Sequence, residues 1–184
     1  MTITYTGYHG TSKSAMQSII REQHLRASQK AYEWAGTGVY FFIEDSPYDN
    51  AKKWAKYFKK IPDLNIGILE AKIKIDSQNL FDVTLSEYQE QFHRFREAYY
   101  SKAYKEAKAA GKTLDNETFK TMNLDCTVFN EICTSLGFTA VKRLCYIRFR
   151  NQKDWIYYSP SSIPNCTILC VRDETQIKKI KCAD

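Results

Sequence analysis

Tyr8-His9-Gly10-Thr11 and, about thirty residues later, Gly36-Thr37-Gly38-Val39-Tyr40-Phe41-Phe42 decide how this chain is read. Before the first, β-branched and polar residues alternate from Ile3 to Thr6, the mark of a short strand ending at Tyr8-His9. Thr11 or Ser12 then caps a helix with Ala15, Met16, Ile19 and Ile20 at helical spacing. In the second, two glycines close a turn that runs into a buried aromatic strand, Val39 to Ile43. Asp45 or Ser46 caps the helix after it, and Pro47 fits the first turn, where a missing N–H costs nothing. Taken singly, a His-Gly-Thr turn and a Gly-x-Gly turn are ordinary chain reversals. Occurring in this order, each with a capped helix behind it, they define a pattern.

Outward from these blocks, His24-Leu25-Arg26-Ala27 reads as a short strand, and residues 28–38 as a loop carrying Tyr32 and Trp34. The helix after Pro47 gathers Ala51, Trp54, Ala55 and Phe58 on one face and Lys52, Lys53, Lys56, Lys59 and Lys60 on the other. Trp54 at this spacing is a core residue by default. Residues 65–76 alternate from Leu69 on, as a half-buried strand does. A long helix spans Ser86 to about Ala110, with Tyr88, Phe92, Phe95 and Tyr99 as its apolar stripe and Gly111 as its stop. A second helix runs from about Asp125 to Leu136. Three strand-like runs follow, at 139–149, 155–158 and 166–172, and then a turn at Asp173–Gln176 leads into Ile177–Lys181. The pattern predicts one α+β domain over residues 1–184, with the helical stretch 85–136 inserted between two halves of a sheet.

Composition agrees with one domain: 184 residues, 43% hydrophobic, suffice for a sizeable core. Thirteen tyrosines suit half-wet surfaces such as ligand grooves. A net charge of +6 favours anionic partners, nucleotides or RNA. The six cysteines form no Cys-x-x-Cys pair and lack histidine neighbours, so no metal is expected. Cys166 and Cys170, within an apolar run, read as small buried hydrophobes. No secretory pattern or membrane-length apolar run is visible, and a reduced, cytoplasmic location is expected. Of the other two histidines, His24 reads as structural and His93 as solvent-exposed.

The two blocks resemble the histidine and tyrosine motifs of the diphtheria-toxin-like and poly(ADP-ribose) polymerase-like ADP-ribosyltransferases. The resemblance implies a split β-sheet core that clamps NAD in a bent form. It assigns His9 to the adenosine ribose, Gly10 to the nicotinamide amide through its backbone, and Thr11 to the hydroxyl position that follows. Tyr40 would stack on the nicotinamide ring and so orient the glycosidic bond for cleavage. Trp54 is the candidate second aromatic of that sandwich, and the loop with Tyr32, Trp34 and the glycines Gly36 and Gly38 would lie over the donor. In the family a late-strand glutamate supports the positive charge that develops on the sugar. The ending ILCVRDETQIKKI resembles the family's, with Asp173 and Gln176 in register, but this register sets Ile168 where the glutamate stands. A His-Tyr-Ile set occurs in family members that transfer a single ADP-ribose. Glu131, Glu70 and Glu174 are the candidate substitute acids.

The same resemblance points to small toxins of toxin–antitoxin or anti-phage systems: a mono-ADP-ribosyltransferase with a macromolecular acceptor and an antitoxin protein as partner. Basic residues at 52–60, at Arg143, Arg148, Arg150 and Lys153, and at 178–181 favour RNA over protein. Tyr146, Phe149, Trp155 and Tyr157 interleave the middle group. An ordinary lysine-rich solvated surface explains the same residues. The inserted helix, with Tyr100 and Tyr104, would contact a target or simply pack on the sheet. The alternatives are an inactive NAD- or ADP-ribose-binding module, an NAD hydrolase, and an RNA-binding domain whose turns only mimic the motifs.

Overall fold

Two strands of eleven residues each, β1 (Thr2–Ser12) and β3 (Ile66–Asp76), pair antiparallel from Thr2↔Asp76 to Ser12↔Ile66. β3 alternates as its sequence predicts: Ala71, Ile73 and Ile75 are buried, while Lys72 and Lys74 are exposed. The computed structural model describes residues 1–111, 121–149 and 161–183. Among these, seven strands form one mixed sheet in the order β4-β5-β6-β2-β1-β3-β7. The others are β2 (Val39–Ile43), β4 (Leu80–Asp82), β5 (Ala140–Cys145), β6 (Cys166–Val171) and β7 (Ile177–Cys182). Only β4 and β5 pair in parallel.

The sheet separates two cores. On one face Val39, Phe41, Ile43, Leu69, Ile73 and Ile75 meet Met16, Ile19 and Ile20 of α1 (Lys13–Glu22). Ser12 caps α1 by accepting from the Ala15 N–H at 3.2 Å. On the other face Phe42, Ile68, Ile168 and Cys170 are covered by α2 (Pro47–Tyr57), α3 (Ser86–Ala109) and α4 (Thr121–Leu136). Phe92 is the buried anchor of the α3 stripe, and Leu124, Val128, Phe129, Ile132 and Cys133 supply that of α4. Tyr100 and Tyr104 are exposed. Gly111 and Gly137 follow the two helices at φ +63° and +77°, the left-handed stop that glycine adopts without strain.

Several boundaries differ from expectation. β1 runs on to Ser12 because β3 offers it a partner throughout. Residues 24–27 form no strand; Leu25 is buried, and the pairing moves to an isolated bridge between Ser28 and Gly38. β5 stops at Cys145. Beyond it the Asn165 side chain takes the place of a strand, accepting from the Ile147 N–H and donating to its carbonyl, both at 2.8 Å. β4, three residues long, was too short to carry a period. The predicted strand at 155–158, with Trp155, Tyr157, Arg150 and Lys153, lies outside the described residues.

Between β2 and α2, Glu44, Asp45 and Ser46 all have positive φ (55°, 23° and 54°), a costly run for residues with a Cβ. The buried Asn50 holds it, its side-chain amide donating to the Asp45 carbonyl at 2.9 Å. Lys142 pairs with Glu44 at 2.8 Å. The reversed turn sets α2 across β1.

Candidate functional site

β1 and β2 are neighbours in the sheet, yet their ladder holds a single register pair, Tyr8↔Phe42. β2 meanwhile pairs with β6 from Val39↔Val171 to Ile43↔Thr167. Past Tyr8 the sheet opens, and the His9 imidazole occupies the opening. Its Nδ1–H donates to the Tyr40 carbonyl at 2.9 Å. The Lys59 ammonium donates to His9 Nε2 at 3.2 Å and to the Gly10 carbonyl at 2.9 Å. An ammonium can only donate, so Nε2 is the acceptor and the ring proton sits on Nδ1. Phe41 meets the ring edge-on, centroids 6.2 Å apart.

Burial first, and the Lys59 charge second, lower the His9 pKa to about 4, against the bond to the Tyr40 carbonyl. His9 is therefore a neutral hydrogen-bonding ring at pH 7. Between about pH 6.5 and 4 the unfolded chain binds a proton that the folded chain refuses, so stability falls as pH is lowered through that window. Denaturation at pH 7 and pH 4.5 should show this loss, and His9→Gln should remove part of it.

The turn at 34–38 is bound by side chains of β2, α4 and β5 and by Arg172, just past β6. The Tyr40 hydroxyl accepts from the Ala35 N–H at 2.9 Å and donates to the Gly36 carbonyl at 2.5 Å. Asn130 Oδ1 of α4 accepts from the Thr37 N–H at 2.8 Å. Arg172 donates to that same oxygen at 2.6 Å and to the Thr37 carbonyl at 3.1 Å. Arg143 of β5 donates to the Trp34 carbonyl. A Cβ on Gly36 would stand 2.6 Å from Asn130 Oδ1, and one on Gly38 2.5 Å from Cys170 Sγ, so α4 and β6 dictate both glycines. Burial pushes the Tyr40 pKa far above the usual tyrosine value, which keeps its hydroxyl protonated.

The aromatic group packed on α2 is larger than the sequence patterns had gathered. Trp54 stacks on Phe58 (4.3 Å, 14°) and meets Trp34 edge-on at 5.5 Å. Phe42 and Phe149 complete the group. One face of Trp54 is thus taken by Phe58. Tyr32 is exposed, with the Lys30 ammonium 5.8 Å from its ring centre. Thr11 is buried. The missing Cβ of Gly10 faces α2, where an added carbon would lie 1.9 Å from the Ala51 carbonyl oxygen.

Ile168 is 2% exposed and lies between Phe42 and Arg143 in the ladder. Arg143, expected on a basic surface, is turned inward: it lies 3.8 Å from Asp125 and 5.6 Å from the Phe129 ring centre. Of the substitute acids, Glu70 accepts from the Tyr8 hydroxyl at 3.2 Å and pairs with Lys181 at 3.3 Å, Glu174 pairs with His24 at 3.0 Å, and Glu131 is exposed. Ile168→Glu would bury a carboxylate among apolar residues, with only the already engaged Arg143 beside it. We expect it to cost about 2–4 kcal/mol of stability, read as a lowered melting temperature.

Lys59, Asn130 and Arg172 escaped sequence analysis. Lys59 looked like one more member of a solvated lysine face, and the other two lie far in sequence from the turn they hold. A separate groove of about 560 Å³, lined by residues including Ser12, Lys13, Ser14 and Lys60, contains none of the predicted site residues. Among the described residues no cluster of three His, Cys, Asp or Glu side chains could hold a metal ion, and no helix is long and apolar enough to cross a membrane.

No protein-family model matches the chain, and no solved structure matches it. A stretch of 89 residues is 29% identical to an uncharacterized protein of Methanocaldococcus jannaschii. The match takes in 47% of this chain and 40% of that protein, so it spans less than half of the relative's length.

Proposed function

We propose that this protein is an NAD-dependent mono-ADP-ribosyltransferase whose donor site is the opening between β1 and β2. One observation carries the reading: the two motif blocks meet there, the His9 imidazole bonding the Tyr40 carbonyl at 2.9 Å across a chain separation of 31 residues. Neutral His9 offers Nε2 as an acceptor for a ribose hydroxyl. The Gly10 carbonyl, whose partner is a movable lysine, suits the N–H of a primary carboxamide. The Tyr40 ring, aimed by its own hydroxyl, supplies a stacking face. With Ile168 in the glutamate position, the reading is single transfer rather than chain building.

On this reading the acceptor is a macromolecule, with RNA favoured over protein. Lys52 is exposed on α2, and the Lys53 ammonium lies 5.9 Å from the Phe149 ring centre, a basic and aromatic pairing suited to nucleic acid. A toxin role with an antitoxin partner belongs to the same proposal. The buried Ile168 favours a second reading, a module that binds NAD or ADP-ribose without cleaving it.

The test is incubation with labelled NAD and separate pools of RNA, DNA and protein. Label in one pool supports the transferase and names its acceptor class. Nicotinamide released without any label indicates NAD hydrolysis. NAD bound but intact selects the binding module.

A further inference from the structure

Lys59 holds the two atoms that the proposed donor site needs. Its ammonium bonds His9 Nε2 and the Gly10 carbonyl, both neutral acceptors. Among the described residues, no carboxylate pairs with it. Lys59 is exposed as a residue, but its charge is directed into the opening. Burial first, and the like charge of Lys30 second, hold its pKa below the usual lysine value. Lys30 comes from the 28–38 loop and Lys59 from beyond the end of α2; the Lys30 charge reaches Lys59, and among the described residues neither ammonium is paired with a carboxylate. Such an arrangement is short of an anion.

We infer that Lys59 binds the diphosphate of the donor, and that in the free protein it occupies the ligand's place on His9 and Gly10. On donor entry the ammonium leaves both acceptors to the ribose hydroxyl and the carboxamide and turns to the phosphate oxygens. The exchange replaces two bonds from the ammonium to neutral acceptors by bonds to phosphate oxygens, in which donor and acceptor carry opposite charge. Lys59 is thus both a guard that keeps the opening filled and the residue that selects a phosphorylated ligand. The inference rests on the donor reading given above.

Calorimetric titration with ADP-ribose, adenosine and inorganic pyrophosphate tests it, on the wild-type protein, Lys59→Ala, Lys59→Arg, and Lys74→Ala as a control for general loss of charge. Lys59→Ala should weaken ADP-ribose at least about tenfold and leave adenosine binding equal or tighter. Lys59→Arg should restore most of the loss, and Lys74→Ala should change nothing. Equal ADP-ribose affinity in Lys59→Ala, or parallel loss of ADP-ribose and adenosine, would overturn the assignment while leaving the donor reading intact. Failure of the wild-type protein to bind ADP-ribose or NAD would sink the donor reading itself, and the diphosphate role with it. Pyrophosphate binding without ADP-ribose would mean a plain phosphate site and would also overturn the inference.

The guard role has its own readout. Nuclear magnetic resonance of the His9 ring should place its titration midpoint higher in Lys59→Ala than in the wild-type protein. An unchanged midpoint would refute the self-occupied state. The same spectra report whether the variant is folded.

Discussion

Tyr40→Ala is expected to lower NAD cleavage and transfer on the order of 100-fold, a loss typical of a reacting bond left unaligned. The ring and the hydroxyl contribute separately. The ring is the proposed stacking face; the hydroxyl accepts from the Ala35 N–H and donates to the Gly36 carbonyl, which fixes both the ring and the 34–38 turn. Tyr40→Phe keeps the ring and leaves two backbone groups without their partner. It should lose about 1–3 kcal/mol of stability and only a minor part of the activity. The comparison is therefore between nicotinamide release by the two variants, each with its denaturation curve. Full activity in a folded Tyr40→Ala would rule out stacking; equal losses in both variants would assign the role to the turn and not to the ring.

Gly10→Ala should be the most destabilising single change to the motif. The added methyl would lie 1.9 Å from the Ala51 carbonyl oxygen and 3.1 Å from the Ala55 Cβ. Backbone, not a flexible side chain, stands in the way, so α2 would have to move off β1. We expect a loss of about 3 kcal/mol or more, the upper end of what overpacking costs, measured by urea denaturation. Gly111→Ala is the control: nothing lies within 4 Å of its added carbon, and only its left-handed φ of +63° opposes the change, at about 1–2 kcal/mol. The difference between the two isolates helix packing from backbone preference. It also bears on function, since lost activity in Gly10→Ala would report a displaced α2 and Lys59 as readily as a lost ligand contact.

The elements that were legible in the sequence are those whose signal is local. The cap at Ser12, the first-turn Pro47, the alternation of Ala71, Ile73 and Ile75, and the stripe on α3 each follow from spacing within one segment, whereas the cap expected at Asp45 or Ser46 makes no side-chain bond to α2. The His9 and Tyr40 blocks were legible as motifs, but their meeting through an imidazole and a carbonyl was not, because it depends on a ladder that stops after one pair. Gly10 was expected from the approach of a ligand and is required by the approach of a helix; a missing Cβ does not say what fills its space. Arg143 carries a charge that periodicity assigns to the surface, yet Asp125 and the Trp34 carbonyl draw it inside. Lys59 shows the converse limit, since nothing in the lysine-rich run from Lys52 to Lys60 separates it from its neighbours until the sheet opens beneath it.

The single-pair ladder between β1 and β2 also bears on how the molecule moves. It marks a seam between a β1-β3-β7 half and a β4-β5-β6-β2 half. The chain passes over that seam four times, from β1 to β2, β2 to β3, β3 to β4 and β6 to β7. Neither half is a contiguous piece of polypeptide, so neither can detach as a folding unit of its own. Amide protons along the seam should therefore exchange by small, frequent partings, while those within each half wait for the whole domain to unfold. The interlaced connectivity lets the sheet stay ajar at His9 while keeping its two halves tied together.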